Sequence, residues 1–304
     1  MKNFIKMIVD NGTEPKPVLT LGDRMKEYEY ESRIILKYNT HYIVRVDGRS
    51  FHTYTRGLKK PFDEGLMNDM VETTKYLCQN IPLCKFGYTQ SDEISLVLTD
   101  YDNEECEPFF GGNLQKIVSI VASMATAKFN QLRGARLPQE MNDRGTQFIN
   151  TKDYFDRMKL AHFDTRIFVL DDPEEVVNYF VWRQRDAIRN SIAGLAQSYF
   201  SHKKLENKNT DEMKQMLFQD FDVDWNEIEI PKQRGTGITK QYQLWYRESE
   251  NVKDPGEFRL VVGKGYVSNA MREQGYYERK AWVADENIPI FADDRYYILN
   301  LLPK

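Results

Sequence analysis

The 304-residue sequence predicts an α+β protein: an antiparallel split βαβ (ferredoxin-like) sheet with additional helices and a C-terminal α/β extension. Three observations lead there. Apolar residues alternate in "YIVRVD" (residues 42–47), on both sides of "TQSD" in "FGYTQSDEISLVL" (86–98), and in "FDTRIFVL" (163–170), as strands with one buried face require. Residues 62–81 and 113–131 instead carry apolar side chains at helical spacing. The order β-α-β-β-α-β then follows, with both helices on one face of the sheet.

Along the chain, residues 1–20 read as an arm, because Pro15 and Pro17 interrupt regular structure. The charged run at 22–36 reads as a short helix leading to the first strand. Leu66, Met70, Thr74, Leu77 and Ile81 mark the first buried helix, and Leu114, Ile117, Val118, Val121, Met124 and Ala125 the second. The short polar "TQSD" makes the middle strands a hairpin. A polar stretch holding Pro138 and Gly145 separates the second helix from the last strand. Residues 174–218 read as helical, 229–246 as a loop and strands, and the tail as ending in a strand. The expected division is an arm (1–20), a first domain built on the sheet (21–172) and a helical and mixed extension (173–304) packed on it.

Composition limits the function. A net charge of −4 gives no bulk basic footprint for nucleic acid, so a polyanion would need a local patch. Basic runs do exist at 183–189, 202–208 and 232–240, each readable as an RNA path or as ordinary solvation. The three cysteines lack C-x-x-C spacing and the four histidines are scattered, which argues against structural zinc and for reduced thiols in the cytoplasm. No signal-like segment and no apolar run of about 18 residues occurs, so no membrane partner is expected. Neither G-x-G-x-x-G nor a Walker motif is present.

Two strands meet carboxylates: Asp47 ends the first, and Asp92 sits in the hairpin. In this topology both reach one edge of the sheet. Such a pair repels unless a proton or a cation intervenes. Magnesium takes oxygen ligands and leaves positions for phosphate, and Gly48 would admit a backbone carbonyl to the same ion. Asp-Gly and Ser-Asp are also ordinary turn sequences. The residues alone leave both readings open.

"VRVDGRSFH", "KPFDEGL" and "GYTQSDEISLV", followed in order by "LQKIVSIVAS", "FDTRIFV" and "YFVWRQRDAIRN", resemble the tRNA-His guanylyltransferase superfamily, the 3′-5′ nucleotide-adding enzymes. The resemblance covers roughly residues 21–200. It implies a polymerase palm-like fold and a nucleotidyltransferase using ATP, GTP or other nucleoside triphosphates at the 5′ end of tRNA. It also implies two Mg²⁺ ions and a homotetramer (dimer of dimers). By the same resemblance Asp47 and Asp92 are catalytic and, with Gly48, bind metal. Arg45, Arg49, Ser50, Phe51, His52, Lys60, Asp63, Ser91, Glu93 and Lys116 fall at nucleotide-binding positions. Arg166, Arg183 and Asn190 fall where the RNA 5′ end or a phosphate is contacted. Where the family's anticodon-reading branch has HINNLYN, this chain has "IRNSIAG", with Ile188, Ser191, Ala193 and Gly194 at changed positions. That departure suits the "like" branch, which repairs 5′-truncated tRNA. The rival readings are a palm-fold nucleotidyl cyclase and a non-catalytic RNA-binding module using Phe86 and Tyr88 as stacking aromatics.

Overall fold

The structure is a computed structural model that describes residues 19–101, 106–143, 159–247, 258–261 and 276–303. The arm read at 1–20 lies outside them except for its last two residues. The first elements are α1 (Leu21–Glu31), β1 (His41–Gly48), α2 (Phe51–Tyr54), α3 (Glu64–Asn80), β2 (Cys84–Gln90) and β3 (Glu93–Thr99). Then follow α4 (Leu114–Asp143), β4 (Phe163–Leu170), α5 (Pro173–Tyr199), α6 (His202–Leu205), α7 (Thr210–Phe221) and α8 (Ile230–Arg234). The chain closes with β5 (Thr236–Arg247), β6 (Phe258–Val261), β7 (Tyr276–Asp285) and α9 (Tyr296–Leu299).

Among the described residues the sheet has seven strands in the order β4-β1-β3-β2-β5-β6, with β7 also on β5, and every pairing there is antiparallel. Its first four strands are the expected split βαβ sheet. The later strands extend that sheet, because Thr236 and Ile238 of β5 pair with Thr89 and Gly87 of β2.

Strand parity assigns the two faces. Tyr42, Val44, Val46, Ile94, Leu96 and Leu98 point towards Met70 and Leu77 of α3 and Ile117, Val121 and Phe129 of α4. Both expected helices therefore share one face. Ile43, Phe86, Tyr88 and Val97 point the other way, under Val176, Val177 and Phe180 of α5 and the tail residues Ile288, Phe291 and Ile298. With both faces covered, β3 is buried along its whole length. Phe86 (0% exposed) and Tyr88 (1%) cannot stack bases, which removes the surface that an RNA-recognition sheet would need.

Three local expectations need correction. Helix α4 runs on through Gly134 and Pro138 to Asp143. Arg133 (3.3 Å) and Arg136 (2.9 Å) anchor this part of the helix on the fully buried Asp69 of α3. The stretch 229–246 begins with the helical turn α8 before one long strand. The tail ends in α9, because Ile298 and Leu302 are buried at i, i+4 spacing, which suits a helical turn and not a strand. Among the described residues no helix is long and apolar enough to cross a membrane.

Candidate active site

The end of β1 and the β2–β3 hairpin lie side by side at one edge of the sheet. The ladders place Asp47 opposite Glu93 of β3 on one side and Asp164 of β4 on the other. The Gly48 N–H donates to the Asp92 carbonyl at 3.1 Å, tying the end of β1 to the hairpin turn. Ser50, just after Asp47-Gly48, has φ 55°, and Ser91, just before Asp92, has φ 51°. Both occupy the left-handed region, which costs a non-glycine residue about 1–2 kcal/mol. Such backbone strain clusters at functional sites.

Gly48 has a packing reason to be glycine. A Cβ there would lie 2.3 Å from Cδ2 of Phe51. Phe51 is held between Tyr54, Phe129 and Phe163, with ring centroids at 4.8, 5.7 and 5.2 Å.

The electrostatics centre on acids that lack full compensation. Burial pushes the Asp92 carboxyl above the usual aspartate range, and the Asp47 charge pushes the same way; its own backbone N–H and Ser91 oppose. Burial also raises Glu93, against the attraction of Arg183 and Arg45. Arg183 (5% exposed) bridges Glu93 at 3.3 Å and Asp186 at 2.7 Å. Ser95 and Tyr179 share a 2.7 Å hydrogen bond beneath α5. Arg166 is 3.5 Å from Asp164 and 3.9 Å from Asp47, and its side chain is 57% exposed. Arg45 lies directly opposite Arg166 in the ladder, and its buried Nε has no hydrogen-bond partner among the described residues. Two like charges facing each other across a ladder are unfavourable unless anions sit between them.

Among the described residues no group of three or more His, Cys, Asp or Glu side chains is gathered to hold a metal. Asp47 and Asp92 could hold a hard cation only with carbonyl, water or substrate oxygens completing its shell, which is how magnesium binds. The raised Asp92 owes most to its burial, with the Asp47 charge adding to it, and a bound cation would oppose both.

The other sequence-selected residues divide. Arg49 donates its N–H to the His162 carbonyl at 2.8 Å and, like the exposed His52, flanks the edge. Phe51 is core. Asp63 caps α3, accepting from Leu66 N at 2.9 Å and Lys59 N at 3.1 Å. The exposed Lys60 and the half-buried Asp63 border Phe62, which, like Ile188, packs against the cluster holding Ile192, one to three turns along α5 from Arg183. Glu93 and Arg183 are buried against each other, so neither presents its charge to a nucleotide or to RNA. Asn190 is exposed, with Nδ2 3.5 Å from Asp186.

Lys116 is at the wrong end. Its neighbour Ile117 lines a small apolar cavity with Tyr42 and Leu98, about 17 Å along β1 from Asp47. Its ammonium lies 4.7 Å above the Phe110 ring.

The basic runs are largely consumed internally. Lys204 pairs with Asp220, Lys208 with Glu212, Lys232 with Glu64 and Glu229, and Arg189 with Asp186. Ser191, a position of departure from the family motif, is buried; it donates to the Lys232 carbonyl at 2.6 Å and accepts from the Trp225 indole at 3.0 Å.

Asp164, Asp186 and the Ser95–Tyr179 pair were not picked out from sequence. Asp164 was legible, since alternation in "FDTRIFVL" puts it on the same face as Arg166. Cys78, Cys84 and Cys106 are free thiols.

Comparison with other proteins agrees with this architecture. The profile of the tRNAHis guanylyltransferase family (Thg1) matches residues 22–171. The chain is 28% identical over 246 residues to an uncharacterized protein of Acanthamoeba polyphaga mimivirus, covering 77% of this chain and 80% of that one. It is 27% identical over 250 residues to the tRNA(His) guanylyltransferase of Debaryomyces hansenii, covering 78% and 86%. A bacterial tRNA(His) guanylyltransferase (Thg1)-like protein solved in complex with ATP superposes with a TM-score of 0.72 at 38% identity, covering 93% of this chain and 98% of that one. One in complex with GTP gives 0.65 at 36% identity, covering 92% and 98%. A strained edge carrying paired acids, on a sheet shared at this identity over almost the whole length, makes the chain a nucleotidyltransferase that belongs to the tRNAHis guanylyltransferase (Thg1) family.

Proposed function

We propose that the protein adds nucleotides in the 3′-5′ direction to the 5′ end of tRNA, with Mg²⁺ bound at Asp47, Asp92 and the Gly48 carbonyl. The observation that carries the reading is Arg45, which stands two residues before Asp47 on the same face of β1, opposite Arg166, with a buried Nε that has no hydrogen-bond partner among the described residues. A buried donor without a partner costs about 1–3 kcal/mol, and a phosphate oxygen removes that cost. The solved structures of similar proteins with ATP and with GTP support triphosphates as substrates.

In the first step a tRNA 5′-monophosphate oxygen attacks the α-phosphorus of ATP and pyrophosphate leaves. In the second, the 3′-hydroxyl of an incoming nucleoside triphosphate attacks the activated 5′ phosphorus and AMP leaves. Arg45 and Arg166 hold phosphate oxygens from adjacent strands, where the guanidinium fork suits bidentate contact. Asp47 and Asp92 orient the reacting groups at the edge. Arg183 neutralises Glu93 and Asp186 behind them, so the hairpin keeps its position without a further ion. When bound, magnesium would supply charge neutralisation at phosphorus and lower the pKa of the attacking hydroxyl.

Repair of 5′-truncated tRNA is favoured over anticodon-directed addition by Ser191. That position is spent inside the fold, supporting α8 and Trp225, and is not offered to RNA. The test is incubation of the protein with 5′-truncated tRNA, labelled triphosphates and Mg²⁺. Extension at the 5′ end that disappears in Asp92→Ala is the expected result. Unchanged RNA with cyclic nucleotide accumulating would overturn the proposal in favour of cyclase chemistry.

A further inference from the structure

Trp182 lies in the middle of α5 and is 54% exposed, although Val181 and Arg183 on either side are buried. One side of its indole rests on the Arg183 guanidinium, whose carbon is 3.9 Å from the ring centroid. That guanidinium is itself fixed by Glu93 and Asp186. The ring is therefore braced from behind by a group that cannot move far, while most of it faces solvent. Tyr179 meets it edge-on at 6.0 Å and also packs on Phe168 at 5.6 Å. Phe168 is two residues from Arg166 on the same face of β4, so this turn of α5 stands beside Arg166 and, through it, Asp47. One turn further along α5, on the same stripe as Trp182, Arg185 is exposed with no ion-pair partner among the described residues.

We propose that Trp182 is the stacking platform for the 5′-terminal base of the RNA, with the 5′ phosphate held at Arg166 and Arg185 on the following backbone. This rests on the reading above that the RNA 5′ end reacts at Asp47 and Asp92. A braced indole with one open face between arginines is the arrangement that binds a base without reading its identity, as addition set by a template requires. An open, one-sided platform holds a base only when the rest of its ligand is anchored elsewhere, as a tRNA is and a free triphosphate is not. Trp182 thus sets the position of the end and leaves the choice of nucleotide to base pairing.

The test uses the full chain and a 5′-monophosphorylated acceptor-stem hairpin carrying the fluorescent base 2-aminopurine at its 5′-terminal nucleotide. Wild type and Trp182→Phe should quench the fluorescence. Trp182→Leu, which keeps bulk but not the ring, should leave it unquenched and raise the hairpin Kd about 5- to 150-fold. A hairpin with 2-aminopurine several nucleotides inside should show no variant-dependent change. Equal quenching in wild type and Trp182→Leu overturns the proposal. So does Trp182-dependent quenching of 2-aminopurine riboside triphosphate alone, which would assign the platform to the free nucleotide. Transfer activity is assayed in parallel: absent transfer with Trp182-dependent quenching removes the proposed reaction and leaves the platform, whereas intact transfer with no dependence on Trp182 removes the platform alone.

Discussion

Replacing Arg183 by Met tests the account of the charge network beneath the site. The side chain is 5% exposed and Glu93 is 8% exposed, and the guanidinium contacts Glu93 at 3.3 Å and Asp186 at 2.7 Å. Methionine fills similar space but leaves two carboxylates facing each other under α5. Removing one partner of a buried ion pair costs about 3–5 kcal/mol, chiefly through the charge left behind. With an unfolding entropy of about 2.1 cal/mol/K per residue, a chain of 304 residues should lose about 5–8 °C in Tm at pH 7. The loss must depend on pH. Glu93 already has its carboxyl raised by burial, and losing Arg183 raises it further. A raised carboxylate gives stability that is complete below its unfolded value and is lost as pH rises through its folded value. The Arg183→Met deficit should therefore shrink at pH 5 and grow towards pH 8. Adding Glu93→Gln should recover a large part of it, because the stranded charge is gone. Thermal and urea unfolding of the two single variants and the double variant at three pH values measures this. An Arg183→Met loss below 1 kcal/mol, or a double variant as unstable as the sum of the singles, would refute the claim that Arg183 neutralises a buried acid.

Gly48→Ala should destabilise by about 1–3 kcal/mol by urea unfolding, since its Cβ would lie 2.3 Å from a Phe51 ring that three other aromatics hold in place. In the Phe51→Leu background the same substitution should cost clearly less; an unchanged cost would mean that the clash is not with the ring. Asp92→Asn should abolish nucleotide transfer yet raise Tm at neutral pH in the presence of a chelator, because burial and Asp47 make the folded chain favour the uncharged form. That advantage should fade as pH falls to the ordinary aspartate range, where wild type is protonated as well, and a less stable Asp92→Asn at neutral pH would contradict it.

The sheet was legible because its faces are: alternation in β1 and β3 fixes which side chains point towards α3 and α4, and hence that Asp47 and Glu93 lie on the opposite face. Two misplacements were also legible in principle. β3 starts at the acidic edge and runs away from it, so whatever follows β3 begins at the far edge, and Lys116 follows β3. Arg183 read as part of a basic run, but it stands three residues after Phe180 and four before Ala187, on the buried stripe of α5. Helix phase, not the density of charge in sequence, decides whether an arginine meets solvent or an acid. The strain at Ser50 and Ser91 had no sequence signal, because neither position carries the glycine or asparagine that usually marks a left-handed residue. The same logic reinterprets the acidic composition. Most lysines of the basic runs are tied to neighbouring carboxylates, so neither the net charge nor the runs measure the surface open to RNA. At the acidic edge Arg166 keeps its side chain 57% exposed with its carboxylate partners no nearer than 3.5 Å, and an excess of acid elsewhere on the chain is no obstacle to it beyond the roughly 8 Å over which physiological salt lets charges interact.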